Sequence, residues 1–154
     1  MSSTTRELRA EIDINAPVER VWAVVTDIDA MVQGSPELLG MTPLLRGGLR
    51  TGQQYIGWNK RGLVVWPTRN VVVEVEVFKR LAWDTKTSGA RWIYELEPSD
   101  SGTRLIARRP IPGTLNPVGK AFAALLLGGG ESHADELEEA LATTIAKFKA
   151  IAEA

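Results

Sequence analysis

The single histidine, His133, sits among Glu131, Asp135 and Glu136, directly after Gly128-Gly129-Gly130. An imidazole flanked by carboxylates is what general-base catalysis near neutral pH would use. At the head of a charged helical segment, however, the same residues read more simply as a solvated helix start. One histidine in a chain with no cysteine makes a poor metal site, because carboxylates at coordinating spacing would have to complete it, and Glu131 and Asp135 show no such pattern. No serine has a partner base placed to activate it. The three glycines do not open a helix after a strand with dinucleotide spacing, so they read as a hinge rather than a phosphate cradle. On these residues no catalytic group is assigned, and neither a metal nor a cofactor is expected.

The aromatic residues are more informative. Residues 90–109 read as two strands joined by a Pro98-Ser-Asp-Ser-Gly102 turn, and in the first of them Trp92, Tyr94 and Leu96 alternate with Ile93, Glu95 and Glu97. One face therefore carries two large rings while the other is mostly charged. Whatever covers the aromatic face decides the function, since such side chains opposite a helix either fill a core or line a ligand cavity. Trp66, Trp83 and Trp92 fit either role.

The elements that hold this face follow from periodicity. Leu8, Ala10, Ile12 and Ile14 alternate with Glu7, Arg9, Glu11 and Asp13, which predicts a first strand with one wet side. Asn15-Ala-Pro17 stops it, and Pro17 suits a first helical position, where its missing amide hydrogen costs nothing. Val18, Val21, Trp22 and Val25 then form the apolar stripe of a short helix, and Asp27 and Asp29 can cap a second one. Glycines and prolines punctuate residues 34–52, which predicts short strands at 38–46 and 51–59. Further strands follow at 68–77 and 80–87, making seven with connections too short for parallel pairing.

The Val-rich run at 68–77 has a register conflict. Plain alternation puts Val71, Val73, Val75 and Val77 inside with Glu74 and Glu76 outside, but Trp66, Thr68, Asn70 and Val72 share the glutamates' parity. A bulge near the middle would let Trp66 and Asn70 face inward at one end while the glutamates face outward at the other. Beyond the hinge, Leu137, Leu141, Ile145 and Phe148 repeat at three and four, predicting a long amphipathic helix to about Glu153. The fold class is therefore α+β: a seven-stranded antiparallel sheet wrapped around a long C-terminal helix, with two short helices after strand one. Residues 110–127 bring Pro and Gly and then an apolar stripe of Val118, Phe122, Leu125 and Leu126. They form either a gate over a pocket or a fixed first segment of the long helix.

Composition excludes several classes. A chain of 154 residues folds as one domain, burying roughly 70% of the surface its unfolded form exposes. The 18 basic and 19 acidic residues nearly cancel, so no overall field favours nucleic acid or an anionic membrane. The balance is uneven: residues 46–109 carry twelve Lys or Arg against six Asp or Glu. Solvated strand faces account for this, or else a mildly basic surface beside an anionic ligand group. The absence of cysteine excludes disulfides and fits a reducing compartment. No apolar leader is present and the run Ala121 to Leu127 is too short to cross a bilayer, so the chain reads as soluble and cytoplasmic, without stable membrane insertion.

In order along the chain, Ile14-Asn-Ala-Pro17 leading to Val21-Trp22, Ser35-Pro-Glu37, Gly57-Trp-Asn59, Leu81-Ala-Trp83, Arg91-Trp-Ile-Tyr-Glu-Leu-Glu-Pro98 and the helix from Leu141 to Glu153 resemble the bacterial polyketide cyclase/dehydrase and lipid transport family. That family lies within the START-like, or SRPBCC, superfamily. The resemblance implies a helix-grip fold over residues 1–154 as a single ligand-binding domain, with a deep hydrophobic pocket between sheet and helix. It also implies that Tyr55, Asn59, Trp66 and Asn70 face the pocket. One position departs from the pattern: Gly34 stands where similar sequences carry a large aromatic, which would widen or loosen the pocket mouth.

The ligand-binding candidates are then Tyr55, Asn59, Trp66, Asn70, Trp83, Trp92, Tyr94, Phe122, Leu141 and Ile145. Polar members of the inward face, Thr85 among them, either satisfy one another or orient a ligand. Three functions are consistent with this: binding or carriage of a hydrophobic small molecule such as a lipid or polyketide, cyclase or dehydrase chemistry on a polyketide-like or acyl substrate, and an interaction module whose pocket its own side chains fill. Trp58, of outward parity to Tyr55, is the residue a homodimer contact would use.

Overall fold

Alternating apolar and charged residues build the strands, and one face of the sheet they form is dry. The computed structural model describes residues 7–34, 38–86, 89–110 and 130–154, with backbone alone over 130–137. The elements are β1 (Leu8–Ile14), α1 (Val18–Val25), α2 (Ile28–Gly34), β2 (Leu38–Pro43), β3 (Gln54–Arg61), β4 (Val64–Glu76), β5 (Arg80–Thr85), β6 (Ala90–Ser99), β7 (Gly102–Arg109) and α3 (Gly130–Glu153). The seven strands form one sheet in the order β1-β7-β6-β5-β4-β3-β2, every pair antiparallel. Leu141, Ile145, Phe148 and Ala152 bury one stripe of α3 in the core against β1, α1 and α2. This is the helix-grip arrangement, with two short helices after the first strand.

The register conflict in β4 resolves through a bulge. Val72 pairs with Trp83 and Glu74 with Ala82, so Val73 is an extra residue. Asn70, Val72 and Val75 consequently share the concave face with Tyr55, Leu81 and Trp83, while Glu74 points outward to Arg80 at 2.9 Å. β4 also starts at Val64, earlier than the expected 68, and runs through Pro67. Proline is tolerated because β5 joins β4 only from Asn70 onward, so Pro67 pairs with Trp58 of β3 alone and its missing N–H leaves no ladder bond unmade. β2 ends at Pro43 and β3 begins at Gln54, a shorter and a later strand than periodicity predicts. Between them the buried Gln53 amide bonds the backbone of Leu45 and Gly48, holding an irregular loop.

Pro17 occupies the N-cap of α1 in an extended conformation rather than the first helical position, and its carbonyl accepts from the Arg20 and Val21 amides. Asp27 caps α2 by accepting the Asp29 amide at 2.9 Å. At the β6–β7 turn Gly102 has φ 142°, and an added Cβ would lie 2.6 Å from the Ala16 carbonyl oxygen, so only glycine fits beside the exit of β1.

The convex face is a charge ladder. Arg108 bridges Glu7 and Glu95, Arg80 bridges Glu74 and Glu95, Arg104 reaches Asp13 and Glu97, and Arg91 reaches Asp84 at 2.6 Å. These cations belong to a solvated strand face, where each pair is worth at most about 1 kcal/mol.

Candidate functional site

On the concave face the register lines up polar side chains from four consecutive strands. Trp92 Nε1 donates to Thr85 Oγ1 at 2.9 Å, and Thr85 Oγ1 donates to Asn70 Oδ1 at 2.7 Å. Asn70 Nδ2 donates to the Thr68 carbonyl and hydroxyl oxygens, each at 3.3 Å, and Asn59 Nδ2 donates to Thr68 Oγ1 at 3.1 Å. A chain of bonds thus runs from β6 to β3 through side chains that burial would otherwise penalise. Gly57 leaves the room for it, since a Cβ there would sit 2.8 Å from Thr68 Oγ1 and 3.1 Å from Asn70 Nδ2. Asn59, Asn70 and Thr85 therefore satisfy one another. Thr68, the hub, is the member that periodicity marked by parity without marking as a site residue.

Neither tyrosine hydroxyl joins that chain. Tyr55 and Tyr94 are both buried, and burial pushes each phenol above its ordinary range. Both are neutral hydrogen-bonding groups at physiological pH. Tyr94 packs edge-on against Phe148 of α3 at 5.8 Å between centroids and tilts against Trp83 at 5.6 Å. Trp83 in turn stacks on Trp92 at 6.3 Å. The aromatic wall anticipated from β6 is therefore continuous across β5.

A small void lies where α2 meets this wall. Ile28 and Met31 of α2, Met41 of β2 and Leu49 cover it, and Tyr55, Asn70, Val72, Leu81 and Trp83 form its floor. Its volume is about 10 Å³, at the lower limit of what holds one water. Among the described residues, this narrow cleft lies between α2 and the concave face of the sheet. Ile28 and Met31, three apart on α2, are wall residues that the reading of the sequence passed over.

The remaining candidates fall into three groups. Leu141 and Ile145 are buried on α3 as core residues. Trp66 faces Asn59 across β3–β4, beyond the reach of β5, and is half-buried at the far end of the concave face, outside the void. Phe122, residues 111–127 of the 110–127 stretch read as a gate or a fixed helical segment, and the His133 side chain lie outside the described residues. Gly34 corrects an expectation: it is buried under α3, where an added Cβ would approach Phe148 Cε1 and Thr144 Cγ2 to 3.3 Å each. The space an aromatic would take is filled by Phe148 and Thr144, so Gly34 closes the packing rather than widening a mouth. A further residue of the face escaped notice: Arg109 pairs with Leu8 on β1 and stacks its guanidinium 4.3 Å over the Trp92 ring. Among the described residues no cluster of three or more His, Asp or Glu could hold a metal, and no helix is long and apolar enough to cross a membrane.

With this geometry in place, the sequence matches the family described as polyketide cyclase / dehydrase and lipid transport over residues 5–148. No curated protein matches it. Among solved structures it is similar to the polyketide cyclase-like protein Cgl2372 of Corynebacterium glutamicum, with 26% identity, TM-score 0.60, and coverage of 99% of this chain and 90% of that one. It is also similar to protein BH1534 of Bacillus halodurans, with 20% identity, TM-score 0.68 and coverage of 96% and 97%. A third is the di-domain aromatase/cyclase BexL of the BE-7585A biosynthetic pathway, with 17% identity and TM-score 0.68, where 98% of this chain covers 50% of that one.

Proposed function

The chain belongs to the polyketide cyclase / dehydrase and lipid transport family, and we propose that it acts as a single START-like domain binding a hydrophobic small molecule between α2, α3 and the concave face of the sheet. The observation that carries this reading is the make-up of the void. The surface that its cover and floor present is apolar, with Tyr55, Asn70 and Trp83 among the residues that form it. Asn70 is already engaged with Thr68 and Thr85, so Tyr55 and the Trp83 indole are the groups that would turn to orient a ligand carbonyl or hydroxyl. Met31 and Met41, unbranched and adaptable, are the side chains that would yield to the guest.

The same wall bears on catalysis. A cyclase or dehydrase needs a donor at the developing oxyanion and a base for the departing proton. Tyr55, neutral at physiological pH, would supply a donor, but the described residues around the void include neither carboxylate nor imidazole. This favours binding or carriage of a lipid or polyketide-like molecule over proton transfer. The tightness of the void, about 10 Å³, supports a second reading in which the domain is an interaction module with a filled interior.

Native mass spectrometry of the purified protein, followed by solvent extraction, separates these. A retained apolar molecule that Tyr55→Phe holds less tightly supports carriage. Protein that neither retains nor takes up fatty acids, sterols or aromatic polyketides would leave the filled module standing.

A further inference from the structure

The loop between β2 and β3, residues 44–53, uses its backbone acceptors and donors unequally. Its carbonyl oxygens are occupied from within. Leu45 and Gly48 accept from Gln53 Nε2 at 2.9 and 2.8 Å, Arg46 accepts from Arg50 Nη2 at 3.1 Å, and Arg50 accepts from the Gln53 backbone amide at 3.0 Å. Its N–H groups are not so engaged: among the described residues, none of the amides from Arg46 to Thr51 has an acceptor. Gln53, which organises this arrangement, is wholly buried, so the loop is braced from the core. A braced backbone whose acceptors are used and whose donors meet solvent is electropositive, the make-up of an anion-binding concavity.

The side chains add to this. Arg50 folds back across the loop, its Nε 3.0 Å from where a Gly47 Cβ would stand and its Nη1 3.9 Å from that of Gly52. Glycine at 47, with φ 103°, leaves the room that the guanidinium takes. At Gly48, with φ 67°, the space around an added Cβ is open. Arg46 and Arg50 are both exposed, and among the described residues neither meets a carboxylate, unlike the arginines of the convex face. Between them stands Leu49, part of the cover of the void.

We propose that residues 46–51 form a phosphate-binding loop, with the guanidinium groups of Arg46 and Arg50 and the backbone amides between them as donors. A tetrahedral phosphate presents acceptor oxygens in more directions than a planar carboxylate and so engages more of this set. Because Leu49 belongs both to the loop and to the cover of the void, the phosphate of an amphiphile held here would place its apolar part beneath Leu49. That coupling rests on the interior binding a guest, whereas the affinity of the loop for phosphate does not.

The test follows the loop amides in proton–nitrogen correlation spectra of the full chain as inorganic phosphate is added, with sodium chloride of equal ionic strength as the control. Saturable shifts at Gly47, Gly48, Leu49 and Arg50 are expected with phosphate alone. Arg46→Gln and Arg50→Gln are each expected to weaken that binding by about fivefold, with thermal unfolding unchanged because both side chains are exposed. Shifts that chloride reproduces, or variants that bind phosphate as the parent does, overturn the proposal whatever the interior holds. A second arm compares an acyl glycerol phosphate with the same acyl glycerol lacking the phosphate. Preference for the phosphate form by about tenfold or more, lost in both variants, supports the loop with a lipid headgroup as the source. Phosphate-specific shifts without that preference support it with free phosphate as the source, and binding of neither lipid then counts against the carriage reading alone.

Discussion

Thr85 and Asn70 face each other across the β4–β5 pair, and the Thr85 hydroxyl donates to Asn70 Oδ1 at 2.7 Å. The same hydroxyl accepts from the Trp92 indole at 2.9 Å. Removing it orphans a buried acceptor and an indole donor together. Thr85→Val is therefore expected to cost about 2–3 kcal/mol in urea unfolding, while Thr85→Ser, which keeps the hydroxyl, recovers most of that. A Thr85→Val protein as stable as the parent would show that the bond contributes nothing, and equal losses in the two variants would show that the methyl group matters as much as the bond.

The bulge at Val73 was legible because two glutamates and two inward candidates shared one parity, a conflict that only an extra residue relieves. The early start of β4 was not, since local propensity reads Pro67 as a breaker and cannot know that β5 stops short of it. Arg109 was hidden for a related reason. Adjacent to Arg108 it looks like one more solvated charge, and only pairing with Leu8 turns it onto Trp92. The α2 side of the void was invisible because which helix covers which strand is decided by contacts remote in sequence.

Gly34 illustrates this dependence and gives a second prediction. Gly34→Leu is expected to destabilise by about 1–3 kcal/mol, because the new side chain must displace Phe148 and Thr144 of α3, whose atoms already lie 3.3 Å from an added Cβ. Thermal unfolding of Gly34→Ala and Gly34→Leu in parallel is the measurement. A neutral or stabilising leucine would mean that α3 has room to withdraw.

The buried phenols make stability fall at alkaline pH. Tyr94 and Tyr55 have folded pKa values raised above the ordinary 10.0 by burial, so their contribution is fully present below pH 10 and is lost as pH climbs toward the folded values. Lysines titrate in the same range, so the comparison with Tyr94→Phe isolates the effect. The phenylalanine variant is expected to lose less stability between pH 9 and 11 than the parent, as followed by urea midpoints, and tyrosinate absorbance of the native parent is expected to lag behind that of the unfolded chain.

At the acid end Asp84 behaves oppositely. The hydrogen bond from Arg91, helped by its charge and by Lys86, holds the carboxyl below the ordinary 3.8 against partial burial. Its stabilising contribution is present above that value and is lost as pH falls through the lowered one. Arg91→Gln is expected to raise the Asp84 pKa, visible in a carbon-detected titration, yet to change stability at pH 7 by less than about 1 kcal/mol because the guanidinium is half in water.

The void under α2 supplies the most direct test of whether the interior is adaptable. Met31→Ala removes a buried side chain from its cover and is expected to cost about 2–3 kcal/mol through lost burial and the cavity left behind. If the parent must displace Met31 to admit a guest, part of the binding free energy is spent on that displacement, and the alanine variant spends none. Its affinity for an apolar fluorescent probe is then expected to rise even as its unfolding midpoint falls. Opposite signs in these two measurements mark a site held closed by its own side chain, whereas a variant that is simply less stable and no better a binder marks an interior whose packing serves the fold alone.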